Sequence, residues 1–324
     1  MCQTHFLTVL FILVGLLRPE AQQRTMWSLQ QLDPYISNVA YGGFDRSLSV
    51  NFHLRNQWND IEGGVQNQMV NAHLPLYILS GGAGLQLGRD VSGPLTVFSG
   101  RLSYNYVLSG GFGLLSIGGG IGVRQISLAG DQLVTPNGVY DGTLIDHKDD
   151  DLPVKDATGV IPQFDLGIWY QWNQLQIGLG GNNLFSPQAR LSSDQFIFES
   201  HRSIFLQGRY DYRYNDLIEI SPHVNLITDL SQVQTQIGFH VNYNDNIFGG
   251  AAFRGYSQNS RDAVIFLAGI RISKHFALFY AYDYVLSRLK SVTENNTHEF
   301  TLNYNLNELI RTGLPPKVIY NPRF

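Results

Sequence analysis

"THEFTLNYNL", residues 297–306, is the stretch on which the fold turns. From Phe300 the large apolar residues take every second place: Phe300, Leu302, Tyr304 and Leu306, with Thr301, Asn303 and Asn305 between them. Successive side chains of a strand point to opposite faces, so this stretch is a strand with one apolar and one polar face. A soluble sheet and a membrane wall both produce that pattern. Composition separates them.

The 324 residues are 44% hydrophobic and 12% aromatic but only 15% charged, against about 25% charged in soluble domains. Beyond residue 25 no apolar run is long enough for a spanning helix, which needs about 20 residues. Few charges, 33 glycines and 17 tyrosines without such a helix indicate an all-β chain, an up-and-down antiparallel barrel of outer-membrane type. The net charge of −4 and the lack of basic clusters give no footprint for nucleic acid.

The apolar "FLTVLFILVGLL" (Phe6–Leu17) followed by "RPEAQQR" reads as a signal peptide over 1–21, cleaved after Ala21. Its n-region lacks Lys and Arg, and Pro19 stands where a small residue is usual. The single cysteine, Cys2, lies in this segment, so the mature chain is expected to have no disulfide and no cysteine metal ligand. Residues 22–45 then form a periplasmic N-terminal segment, 46–306 the barrel and 307–324 a periplasmic tail.

Alternation bounded by turn residues marks about fourteen strands, the last of them closing on 46–56. The connections sort by length. "SGG" (109–111), "NQ" (173–174), "YND" (214–216), "ND" (244–245) and "SKH" (273–275) are tight. "NDIEGG" (59–64), "RDVSGP" (89–94), "FSPQARLSSDQF" (185–196), "GYSQNSRD" (255–262) and "SRLKSVTENN" (287–296) are longer and more polar. Short turns on one rim and long loops on the other characterise outer-membrane barrels, with the turns periplasmic. Tyr104, Tyr106, Tyr170, Trp172, Tyr210, Tyr212 and Tyr243 fall on the outward parity before short turns, as an interfacial aromatic belt requires. They are expected to face lipid.

No constellation for catalysis assembles. "GGGIGVR" (118–124) lacks the Gly-Lys-Ser/Thr ending of a phosphate loop, and neither G-x-S-x-G nor H-E-x-x-H occurs. The histidines have no metal-ligand spacing. Asp165 and Asp283 have lumen parity, which a polar barrel interior explains without acid–base chemistry. The long link 126–161 clusters carboxylates, among them Asp149, Asp150 and Asp151. Calcium takes six to eight oxygens, but no EF-hand spacing is present, and a solvated acidic loop is the commoner arrangement. No cofactor is called for, and the chain is not expected to be an enzyme.

Residues 32–58, "LDPYISNVAYGGFDRSLSVNFHLRNQW", resemble the entry segment of the PorP/SprF family, membrane proteins of the type IX secretion system of Bacteroidota. Asn38, Ala40, Tyr41 and Gly43 fit its N-P-A-Y-x-G motif, with Val39 at the proline, and Arg55, Gln57 and Trp58 fit its R-x-Q-W. Asp90, Gly93 and Pro94 fit its D-x-x-G-P turn. "FDLGIWYQWNQLQIGLGGNNLF" (164–185) and "YAYDYVLSRL" (280–289) are similar to its central and closing hairpins, and the chain ends in a family-like "NPRF".

The resemblance implies an outer-membrane barrel serving type IX secretion or its gliding and adhesin branch. Its implied partners are outer-membrane lipids, periplasmic secretion components and a secreted or surface-anchored adhesin-like protein. Within the tail, Pro315, Pro316, Asn321, Pro322, Arg323 and Phe324 are the candidate partner contacts, because proline stiffens an extended recognition segment. Two other readings stand beside it: a passive channel for small or hydrophobic solutes, and a surface adhesin acting through the acidic loop 131–158.

Overall fold

The computed structural model describes residues 26–57, 63–141, 144–149, 152–185, 188–191, 196–200, 202–256, 261–286 and 296–306. The first half of the wall comprises β1 (Ser49–Gln57), β2 (Val65–Leu76), β3 (Gly81–Ser92), β4 (Leu95–Gly110) and β5 (Gly113–Leu128). A small hairpin, β6 (Val139–Asp141) and β7 (Leu144–Asp146), precedes β8 (Ala157–Trp172) and β9 (Leu175–Asn182). A second hairpin, β10 (Gln188–Leu191) and β11 (Phe196–Glu199), precedes β12 (Ser203–Tyr210), which the two-residue β13 (Tyr212–Arg213) continues. The wall is completed by β14 (Ile218–Thr228), β15 (Val233–Tyr243), β16 (Ile247–Tyr256), β17 (Arg261–Arg271), β18 (Phe276–Val285) and β19 (Thr297–Asn305).

With β12 and β13 counted as one strand and the two small hairpins set aside, the wall is a closed antiparallel barrel of fourteen strands. Each strand pairs with its neighbour in sequence, and the first meets the last, Ser49 opposite Asn305 through Asn56 opposite His298. The parity read from 297–306 is the parity observed. Phe300 and Leu302 are exposed, while Glu299 and Thr301 are buried. On a closed wall "exposed" means outward, where lipid replaces water as the solvent.

Several boundaries differ from the sequence reading. The link 89–94 is mostly strand: Gly93, at φ +55°, makes the turn with Pro94, so β3 runs to Ser92 and β4 starts at Leu95. The stretch 201–213 breaks at Asp211, whose carboxylate turns inward to Gln176 and Ser221. The link 126–161 is shorter than expected because β5 extends to Leu128 and β8 begins at Ala157, and it carries the β6–β7 hairpin. The connection 185–196 contains most of the β10–β11 hairpin. Its Leu191 is buried against Val97, Ile126, Leu128 and Ile161, capping an apolar patch at the long-connection end of the lumen.

The largest difference concerns residues 26–45. Expected as a periplasmic surface segment, they lie inside the barrel as a plug of turns and two short 3-10 helices, Pro34–Ile36 and Val39–Tyr41. Leu29, Tyr35, Ile36 and Ala40 have no exposed surface. The partners of Ser28 sit near the long-connection ends of their strands, and Gly43 bonds His73 nearer the tight-turn end. The plug therefore runs the depth of the lumen before β1 begins.

Candidate functional site

A barrel wall with inward charges needs something to satisfy them, because an unpaired buried ion is strongly destabilising. Here the wall charges pair with one another, and the plug adds neutral hydrogen-bonding groups to their clusters. The side chain of Arg55 donates to Ser28 Oγ at 2.7 Å and Glu299 Oε2 at 2.8 Å, and meets Asp283 Oδ2 at 2.8 Å. Arg254 donates to the same Asp283 oxygen at 2.9 Å, to Ser28 Oγ at 2.7 Å and to Gln236 Oε1 at 2.9 Å. Ser28 Oγ donates in turn to Asp283 at 2.7 Å. Two cations and two carboxylates balance around one plug hydroxyl.

Below this cluster, Asp33 Oδ2 lies 2.9 Å from His53 Nε2 and accepts from Asn71 Nδ2 at 2.6 Å, while His53 Nδ1 sits 2.8 Å from Thr301 Oγ1. Hydroxyl, imidazole and carboxylate stand in the order of a nucleophilic relay. All three are buried, and the carboxylate belongs to the plug itself. The arrangement is a tether. Burial alone would raise the Asp33 pKa, but the hydrogen bond and charge of His53, with His73 and Asn71, hold it below its ordinary value.

A third cluster fixes the lower plug. Arg101 bridges Asp165 Oδ2, at 2.9 Å, and the Tyr35 carbonyl, at 3.1 Å; Tyr35 Oη lies 2.7 Å from Ser103 Oγ. Asp165 also accepts from Gln163 and from the Asn183 main chain. Burial, first among its influences, raises the Tyr35 hydroxyl above its ordinary pKa, so it stays a neutral hydrogen-bonding group at physiological pH.

The motif residues gain a physical meaning in this setting. Asn38 caps the second 3-10 turn by accepting from Ala40 N at 3.0 Å, and donates to the Ile168 carbonyl of the wall at 3.0 Å. Val39 opens that turn, at a position where no intrahelical donor is required, so the turn forms without proline. Ala40 packs against Gly118: a Cβ there would lie 2.8 Å from Ala40 Cα. Gly84 faces the Tyr35 hydroxyl and Gly167 the Asn38 amide, each too closely for any side chain. The glycine-rich wall strands are the plug's seat. Gly43, at φ +78°, turns the chain against Pro75 and Gly82.

Of the remaining motif residues, Arg55 is in the Ser28 cluster, Gln57 ends β1, and Asp90 accepts from Asn67 at 2.7 Å. Trp58 lies outside the described residues. So do Asp150 and Asp151, and the tail residues Pro315, Pro316, Asn321, Pro322, Arg323 and Phe324. Among the described residues no three His, Cys, Asp or Glu side chains gather around a metal-sized site. Tyr104, Tyr106, Trp172, Tyr210, Tyr212 and Tyr243 are exposed at the tight-turn end. Tyr170 is half-buried there, its hydroxyl donating to the Phe112 carbonyl at 2.6 Å.

The comparisons agree with this architecture. A family model described as type IX secretion system membrane protein PorP/SprF matches residues 21–304. No curated protein matches the chain. Among solved structures, the toluene transporter TbuX of Ralstonia pickettii is 12% identical with a TM-score of 0.51, over 84% of this chain and 92% of its own. Omp33 of Acinetobacter baumannii, an outer membrane protein, is 7% identical with a TM-score of 0.47, over 80% of this chain and 97% of that one. The toluene transporter TodX of Pseudomonas putida is 12% identical with a TM-score of 0.47, over 87% and 93%. At these identities the likeness to TbuX speaks for the fold alone.

Proposed function

The chain belongs to the PorP/SprF family of type IX secretion system membrane proteins, and from that membership we propose a non-enzymatic, plugged outer-membrane barrel that binds periplasmic secretion components. In this role it aids the export or surface anchoring of a partner protein. The plug is the observation that carries the reading: residues 26–45 occupy the lumen along the path a solute would take. The seven aromatic rings at the tight-turn end suit headgroup depth, and short turns face the periplasm in barrels of this type. β19 ends at Asn305 at the same rim, and the tail 307–324, with Pro315, Pro316, Asn321, Pro322, Arg323 and Phe324, is the proposed contact for periplasmic machinery. Deleting 308–324 should abolish co-purification with that machinery while the barrel still inserts. An unchanged pull-down removes the assignment.

The second reading, a passive channel for small or hydrophobic solutes, draws on the TbuX-like fold and on that neighbour's being a toluene transporter. It requires conductance or solute uptake by the intact purified protein in bilayers. A sealed barrel, together with loss of secreted protein when the gene is deleted, rejects it.

A further inference from the structure

The wall holds much of the plug by its main chain. Glu299 takes two consecutive amides, Ser28 N and Leu29 N, each at 2.8 Å. Gln236 donates to the Ser28 carbonyl at 3.1 Å, Arg209 to that of Gln31 at 2.9 Å, Arg101 to that of Tyr35 at 3.1 Å and Asn182 to that of Ser37 at 3.3 Å. A site that reads peptide groups accepts more than one sequence, as strand-addition receptors do. Side-chain selection is confined to a few places. Arg55, Arg254 and Asp283 surround one hydroxyl. An apolar seat including Ile265, Leu267, Ala281 and Phe279 takes Leu29. His53 and Asn71 take a carboxylate five residues beyond the hydroxyl.

We infer that the lumen is a receptor for a polypeptide segment, with residues 26–47 as its resident ligand, exchangeable for a segment of a partner protein. The matching segment has a hydroxyl residue followed by an apolar one, a carboxylate five residues after the hydroxyl, and small residues where wall glycines such as Gly118 approach. The inference rests on the proposed function, in which the barrel handles partner polypeptides. A resident segment on the same chain competes at a high effective concentration, on the order of millimolar for a short tether. The seated plug is therefore the dominant state until a partner segment arrives at the rim.

A lock tests the exchange. Trp27 is buried in the plug with its ring centroid 5.6 Å from that of His53 on the wall, so p-azidophenylalanine in its place joins plug to wall on irradiation. Irradiated cells carrying that residue should export at least tenfold less partner than unirradiated cells of the same strain. Equal export from the irradiated and unirradiated cells, where gene deletion abolishes export, overturns the inference and leaves the proposed function standing. Export that survives deletion overturns the proposed function itself.

Should the Trp27 variant fail to reach the membrane, purified full-length protein decides. The Ser28→Ala, Asp33→Ala variant should bind a fluorescent synthetic peptide of residues 26–47 saturably, at least tenfold tighter than wild type does and tighter than a scrambled peptide. Binding no better than that of the scrambled peptide overturns the inference.

Discussion

Arg55 and Asp283 are 228 positions apart in sequence, yet their side chains meet at 2.8 Å inside the barrel, with Ser28 bonded to both. Removing one member of a buried charge network leaves its partners uncompensated, at about 3–5 kcal/mol. Arg55→Ala should therefore free the plug before it opens the wall. Limited proteolysis would show cleavage within residues 26–47, while the barrel keeps its slower-migrating unfolded band only after boiling.

Leu302 and Asn303 are adjacent and face opposite solvents. Leu302 is 40% exposed on the outer face, opposite Phe52 and Leu278. Asn303 donates inward to Asn51 at 2.6 Å. Leu302→Arg should cost about 2–4 kcal/mol if it sits near the bilayer midplane, and Asn303→Arg much less. Folding yield into lipid vesicles against urea measures both, and equal effects would contradict a lipid-facing wall.

Gly118→Val places its branched side chain where Ala40 packs. The wall hydrogen bonds do not need glycine at this position, so the strand should persist while the plug is displaced. Planar-bilayer recordings should then show a large, steady conductance that the unaltered protein lacks. Two proteins of equal conductance would mean that the plug does not seal the lumen.

Acid should loosen the plug at Asp33. Because the folded-state pKa is depressed below the ordinary 3.8, the stabilisation is fully present above 3.8 and is lost as the pH falls through the lower folded value. Trp27, buried beside His53 with ring centroids 5.6 Å apart, reports the change by fluorescence. Asp33→Asn should remove that acid transition and lower plug stability at neutral pH.

The wall was legible because its physics is local. Alternation over nine or ten residues fixes a face, and the aromatic residues before tight turns fix a rim. The plug is not periodic: its turns are set by Asp33 and Asn38 capping and by what surrounds them. Its signal in the sequence was indirect. Inward Arg55, Arg101, Asp165, Arg254, Asp283 and Glu299 pair with one another on the wall yet keep capacity to bond a further chain, and the wall's glycines marked a close approach. The boundary at 89–94 was misread for a different reason. Polar residues there belong to strand ends rising beyond the membrane, where a strand has no need of apolar side chains.

Glu299 has a consequence for assembly. It lies on β19, the last strand, and binds amides at Ser28 and Leu29, 271 and 270 positions earlier. β1 and β19 zip together at the same seam. The final strand thus completes the plug's seat and the wall in one event, and loop-closure entropy makes so distant a contact slow to find. Whatever inserts this protein must keep both ends of the sheet apart, with the N-terminal segment already between them, until the last strand has been delivered.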